Sequence, residues 1–256
     1  MDPSQSSRGP VGYSLRLCRK RAELAACQEV QKKIWGYAEH ELYPLRLFVN
    51  LVRVGGHVLG AFTAEEELVG FVAAMPAWHG KQRYFHSLAL GVIRGHENRG
   101  LGRALKLAQR DLALGEGVDC IEWTFDPLRA KNANLNINRL GAVVRRYEPD
   151  CYGQVDSQLQ QGLPSDRLIA EWELSSLRVT RALAGQPPRD PGKKAASEIE
   201  IPASIDAWVK QDPENARKVQ SRVREDFQRC FAHDLTVTGL VLNTNSAYYL
   251  LDSHEN

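Results

Sequence analysis

Along the first 180 residues the apolar positions change period repeatedly, and each change marks an element. Tyr13–Cys18 alternates apolar with polar residues, the pattern of a half-buried strand. Over 20–35 the period lengthens: Leu24, Cys27, Val30 and Ile34 fall on one helical stripe, and Gly36 can end it. A second helix is expected across 41–54. His57–Thr63 and Leu68–Ala77 read as strands joined by the charged tip A-E-E-E, hence a hairpin, and Tyr84–Val92 reads as the next strand. Leu101, Ala104, Leu105, Ala108 and Leu112 then give a helix over 101–114, which Gly115 and Gly117 stop. Asp119–Phe125 is a strand with Pro127 at its exit. Residues 129–140 read as a short asparagine-rich helix ending at Gly141, and Ala142–Tyr147 and Arg167–Leu174 as closing strands. The order β-α-α-β-β-β-α-β-α-β-β predicts a mixed α/β fold with an antiparallel start and a parallel crossover.

From about 184 to 197 the text turns to A-G-Q-P-P-R-D-P-G-K-K-A-A-S, the composition of a linker. Beyond it, Asp212-Pro213 offers an N-cap and a proline at the first helical position. Ala216, Val219, Val223, Phe227 and Phe231 form an amphipathic stripe, and Leu235–Leu242 with Ser246–Leu251 reads as a terminal hairpin. The expected organisation is a flexible tail over 1–12, a main domain over 13–180, a linker-like segment over 181–198 and a C-terminal extension over 199–256. That extension packs on the main domain or on a partner subunit.

Composition narrows the class. A chain of 256 residues, 43% hydrophobic and 25% charged, is ordinary for a soluble globular protein with a real core. A net charge of +2 without a long basic run argues against nucleic acid as a partner. The five cysteines (Cys18, Cys27, Cys120, Cys151 and Cys230) are scattered, with no CxxC or Cys/His ligand spacing, so neither a metal site nor a disulfide framework is expected. The polar N-terminus lacks the apolar core of a signal peptide, and no run approaches a membrane span. A cytoplasmic protein with reduced thiols and no membrane partner is the expectation.

One segment asks for chemistry. E-N-R-G-L-G-R-A-L-K, Glu97 to Lys106, sets Gly100 and Gly102 at the start of a predicted helix, with Arg99 and Arg103 on either side. Helix N-terminal N–H groups lack intrahelical partners and the dipole favours negative charge, so the segment suits an anion. No Walker A run is present. A dinucleotide fingerprint is met only in its first two glycines. Leu105 holds the third place, and the loop starts several residues after the strand ends at Val92, although Glu122 lies at the spacing of a ribose carboxylate.

L-A-L-G-V-I-R-G-H-E-N-R-G-L-G-R-A-L resembles motif A of the GNAT acyltransferase superfamily: a bulged strand, a loop [QR]-x-x-G-x-[GA], and a helix. Gly100 and Gly102 take the two small positions, where a Cβ would block close backbone approach. Glu97 departs from the pattern and puts an acid near phosphates, with Arg99 and Arg103 as the natural compensators. The element order over about 14–174 and the helix N-A-N-L-N-I-N-R-L-G-A are similar to the same family. W-T-F-D-P-L, R-Y-E-P-D-C-Y-G and G-L-P-S-D-R-L resemble a bacterial branch of predicted acetyltransferases with a C-terminal extension. The resemblance implies a central twisted mixed sheet flanked by helices, with the C-terminal helix and β-hairpin added to it.

It also implies, residue by residue, an acyl-CoA site at Leu90, Gly91, Val92, Asn98, Arg99, Gly100, Leu101, Gly102 and Arg103. Asn132 and Asn136, one helical turn apart, are expected to reach pantetheine amides or substrate. Direct attack by an amine on a thioester needs a base, N–H donors for the oxyanion and a proton for the thiolate. His86 lies six residues before Val92, where relatives carry a base; a histidine packed in the sheet is the bland alternative. The oxyanion donors are expected around Gly91 and Val92, where a bulge frees an N–H. The tyrosine acid of the family falls on Ile137, so Tyr147, Tyr152 or water is expected to substitute. Trp123 and Asp126 at a strand end, and Arg167, are candidate substrate contacts. Core packing, an Asp-Pro turn and an ion pair with Asp166 or Glu171 explain the same three residues structurally. The expected reaction moves acetyl from acetyl-CoA to a primary amine of a small molecule. Its rivals are a succinyl-CoA or other acyl-CoA transferase acting on an amino acid, and a non-catalytic CoA-binding sensor or partner subunit. Monomer and homodimer both remain open.

Overall fold

The computed structural model describes residues 7–153 and 162–253, and the chain divides into two compact units, Met1–Glu122 and Trp123–Asn256. In the first unit, β1 (Ser7–Arg8) and β2 (Ser14–Leu17) precede α1 (Arg21–Trp35), a 3-10 turn at Glu39–Glu41 and α2 (Leu45–Arg53). Then come β3 (His57–Phe62), β4 (Leu68–His79), β5 (Gln82–Val92), α3 (Leu101–Gly115) and the start of β6 (Cys120–Phe125). Strands β1 to β5 pair in sequence order, all antiparallel, and β6 joins β5 in parallel after the α3 crossover. From β2 on this is the mixed sheet that the period changes predict; β1 is an addition, lying within the 1–12 stretch expected to be a flexible tail, whose residues 1–6 lie outside the described residues.

Local chemistry sets these boundaries. The Glu23 carboxylate reaches back to accept from the Arg19 and Lys20 N–H groups, both at 3.0 Å, and so starts α1. Gly36, at φ 62°, closes it. Pro44 delays α2 to Leu45, later than the expected 41, because proline lacks an N–H and fits only at a helix start. Side chains alternate across the sheet. Val58, Phe71 and Ala73 face the cluster that holds Phe48 and Leu51 of α2 and Leu24 of α1. Leu59, Ala61, Val69 and Val72 face Leu101 and Leu105 of α3. The helices therefore cover opposite faces.

The second unit holds the end of β6, α4 (Ala130–Asn134) with a π-helical continuation over Leu135–Arg139, β7 (Val143–Glu148), β8 (Arg167–Glu173) and α5 (Leu177–Leu183). It continues with β9 (Ser197–Pro202), α6 (Asp206–Gln211), α7 (Pro213–Ala232), β10 (Leu235–Leu242) and β11 (Ser246–Ser253). Its strands run β8-β7-β10-β11-β9, with every pair antiparallel. The α7 stripe is buried at Ala216, Val223 and Phe227. The Phe227 ring lies 5.6 Å from Tyr147 and 5.1 Å from Tyr249. β9, α5 and α6 are additions to the expected order. S-E-I-E-I-P is a strict alternation, with Ile199 and Ile201 buried and Glu198 and Glu200 exposed, but it directly follows linker composition.

Candidate functional site

The glycine loop is built on backbone that few residues adopt. Gly95, Asn98 and Gly100 all have positive φ, at 94°, 60° and 80°. Ile93 N–H donates to Val69 O at 2.8 Å and fixes the loop's start on β4, and His96 N–H donates back to Ile93 O at 3.0 Å. Gly100 is the left-handed N-cap of α3. Gly100, having no side chain, brings no side-chain cap, and the first turn carries no acid. By contrast Ser176 caps α5 and Asp212 caps α7. A Cβ on Gly102 would meet nothing within 4 Å, so space lies open over the first turn. Leu101, fully buried, anchors the helix start to the core. Arg94, Glu97 and Arg99 are exposed around the loop, with Arg103 half-buried on the first turn. A helix start entered through glycine, with three arginines around it, has the dipole and charge that favour an anion.

The bulge is not where the sequence places it. In the β4–β5 register Ala73 pairs with Ala89 and Ala74 with Ser87, so Leu88 is the residue without a partner. Gly91 and Val92, expected to carry the freed N–H, pair in regular register with Phe71 and Gly70. The small residue at Gly91 answers to packing instead: a Cβ there would lie 2.7 Å from Ile34 Cδ1 and 3.0 Å from the Trp35 ring. Leu90 is half-buried and packs on the α3 side.

His86 sits in the middle of β5, half-buried, in register with Met75 on β4 and with Glu122 on β6. Residues in register share a face, so the imidazole and the Glu122 carboxylate emerge side by side. Glu122 is buried, and its Oε1 lies 2.9 Å from His79 Nε2. The His79 ring stacks flat on Tyr84, centroids 4.2 Å apart. Weighed in the sequence only as a ribose carboxylate, Glu122 becomes part of a His79–Tyr84–Glu122–His86 cluster once β5 and β6 pair in parallel. On the opposite face, Lys106 of α3 is fully buried. Its amine donates to Ser87 Oγ at 2.9 Å and to Gln109 Oε1 at 3.1 Å, and burial pushes its pKa well down.

The remaining candidates lie in the second unit. Asn132 is exposed and Asn136 buried, so the two do not share the surface expected of an i,i+4 pair. The π-helical stretch from Leu135 changes the residue spacing per turn and rotates Asn136 inward. Its Nδ2 is buried without a hydrogen-bond partner among the described residues. Ile137, at the family's tyrosine position, is fully buried. The Tyr147 hydroxyl donates to Asp166 Oδ2 at 2.6 Å, and burial together with that carboxylate raises its pKa. A phenol so held gives up its proton reluctantly. Tyr152 shares a 2.7 Å hydrogen bond with Thr124. Trp123 is buried and meets Trp172 edge-on at 5.9 Å. Asp126 accepts from Leu128 N–H at 2.8 Å, a turn-forming contact, and pairs with Arg129. Arg167 donates to the Asp166 carbonyl at 3.1 Å and lies 5.4 Å from the Tyr152 ring. The Asp166 carboxylate itself is held by Arg224, and Glu171 pairs with Arg145 and Arg146. No group of three or more metal-ligating side chains occurs among the described residues. Nor is any helix there long and apolar enough to cross a membrane.

A bulged strand, a glycine loop, a glycine-entered helix and a parallel return strand follow one another along the chain. Residues 24–135, which contain all four, match the model of the acetyltransferase (GNAT) family. Over 112 of its 256 residues the chain is thus similar to the GNAT family of acetyltransferases. No match was found among curated proteins. Solved structures with a similar fold include the ribosomal-protein-S5-alanine acetyltransferase of Vibrio fischeri, 14% identical, with a TM-score of 0.54, covering 68% of this chain and 98% of that one. Arabidopsis thaliana NAA60 in complex with a bisubstrate analogue is 18% identical, with a TM-score of 0.50 and coverage of 62% and 97%. The ribosomal-protein-S18-alanine N-acetyltransferase of Escherichia coli is 16% identical, with a TM-score of 0.50 and coverage of 64% and 95%.

Proposed function

We propose that the protein transfers an acyl group, acetyl first among candidates, from acyl-CoA to a primary amine of a small molecule. The observation that carries this reading is the α3 N-terminus: opened by Gly102, entered through Gly100 at φ 80°, and inside the family-matched segment. These features fit a phosphate-bearing co-substrate, held by backbone N–H groups at the loop with Arg99 and Arg103 nearby. Bound acyl-CoA supplies an acyl group activated as a thioester. The chain's residues supply the rest. His86 takes a proton from the acceptor amine. Glu122 stands beside it in register, and His79 holds that carboxylate in place. The Leu88 bulge offers the backbone N–H for charge developing on the carbonyl oxygen. Because Tyr147 is engaged with Asp166, water is the proposed proton source for the thiolate.

A second reading takes a protein or peptide amine as acceptor, because two proteins of similar fold are named as ribosomal-protein alanine acetyltransferases. A thiol-release assay with acetyl-CoA and succinyl-CoA, across small amines, amino acids and short peptides, separates these acceptors and donors. With the acceptor found, His86→Ala and Glu122→Gln are each expected to lower kcat by roughly 10²–10⁴-fold. Full activity in both variants would remove the cluster from the chemistry. CoA binding with no thiol release across the panel would favour a non-catalytic CoA-binding sensor.

A further inference from the structure

The N-terminal turn of the first unit reaches the glycine loop through Tyr13 and Pro10. Tyr13 packs its ring against the apolar cluster of Leu101 and Leu105. Its hydroxyl lies 2.9 Å from His96 Nδ1 and accepts from Arg99 Nη1 at 3.2 Å. The two rings meet edge-on, centroids 5.8 Å apart. The turn itself is closed by a Tyr13 N–H to Pro10 O hydrogen bond of 3.0 Å. Pro10 Cγ stands 3.8 Å from where a Cβ on Gly100 would be. One end of Tyr13 is thus fixed in the core beneath α3, and the other ties together two residues of an exposed loop.

The hydrogen-bond inventory narrows the arrangement. A phenol has one proton to give, and a guanidinium can only donate. With Arg99 donating to the Tyr13 oxygen, the phenol proton is used best on Nδ1. That places the His96 ring proton on Nε2, where it remains a donor.

We infer that Tyr13 is a positioning residue for the phosphate groups of CoA: its hydroxyl sets the Arg99 side chain and the His96 tautomer, and so offsets the acid that Glu97 brings to the loop. The inference rests on the acyl-CoA reading above. It assigns the segment before β2 to cofactor affinity, although that segment lies outside the family-matched residues 24–135. An exposed loop with three positive-φ residues is costly to order on binding, and a tether that fixes it beforehand lowers that cost.

The test is calorimetric binding of CoA and 3′-dephospho-CoA to full-length wild type and Tyr13→Phe, which keeps the ring and removes the hydroxyl. Tyr13→Phe is expected to bind CoA roughly tenfold more weakly, with an unchanged apo melting temperature. Retention of the defect with 3′-dephospho-CoA assigns it to the pyrophosphate; its disappearance assigns it to the 3′-phosphate. A double-mutant cycle separates positioning from general destabilisation. In a His96→Ala/Arg99→Ala background, Tyr13→Phe should have no further effect. Wild-type binding matched within twofold by Tyr13→Phe, or a full additional loss in that background, overturns the inference alone. Absence of CoA binding by folded wild type overturns the acyl-CoA reading and this inference with it.

Discussion

Lys106 shows what one buried side chain can impose. Its amine is buried between Ser87 and Gln109, and desolvation drives its pKa well below the ordinary lysine value. At neutral pH the unfolded chain therefore binds a proton there that the folded chain holds less tightly. Folding stability must rise with pH until the unfolded group itself titrates, near about 10.4. Lys106→Met removes this contribution. Urea midpoints at pH 7 and pH 10 should converge in the variant relative to wild type, and an identical pH dependence in both would contradict it. Other residues could be read only in part from sequence. The turn at Gly100 was legible because glycines just before a helical stripe mark a helix start, which the weak G-x-G signal alone gives no role. The Leu88 bulge was not, since it exists only in the register between β4 and β5. The inward rotation of Asn136 was hidden for a similar reason: nothing in N-A-N-L-N-I-N announces a π-turn.

At the scale of elements, the period changes foretold β2 through β7 closely, because strand and helix stretches alternate there and glycine or proline marks the boundaries. Around β9, α5 and α6 the prediction failed, where Pro- and Gly-rich neighbours masked short elements. The role of Tyr147 was equally out of reach, since its partner Asp166 is held by Arg224, 58 positions further along the chain. That network pins α7 to the β7–β8 pair. Asp166 is buried and accepts from Tyr147, from Arg224 Nε and Nη2 and from Asp150 N–H. Asp166→Ala leaves those donors stranded, with Arg224 partly relieved by solvent. The expected loss is about 2–4 kcal/mol in urea unfolding. A change under about 0.5 kcal/mol would show that the network is dispensable.

For the molecule as a whole, the family match ends at residue 135, and the similar solved structures of comparable fold cover 62–68% of the chain while being covered almost completely themselves. The chain beyond the family match includes residues that hold the second unit together. Val237 of β10 pairs with Val144 of β7, and Phe227 packs on Tyr147 and Tyr249. A chain ending at residue 196 is accordingly expected to lose a cooperative thermal transition for residues 123–196. Calorimetry that found that transition intact would make the extension an independent appendage.

The central claim is that this chain holds acyl-CoA at the α3 N-terminus. Titration of acetyl-CoA into wild type and Gly100→Glu by calorimetry tests it most directly. A glutamate at φ 80° is strained and brings a negative charge to the phosphate position. Saturable binding by wild type, lost in a variant that still melts cooperatively, is the predicted result. Equal binding by both proteins, or none by folded wild type, would contradict it.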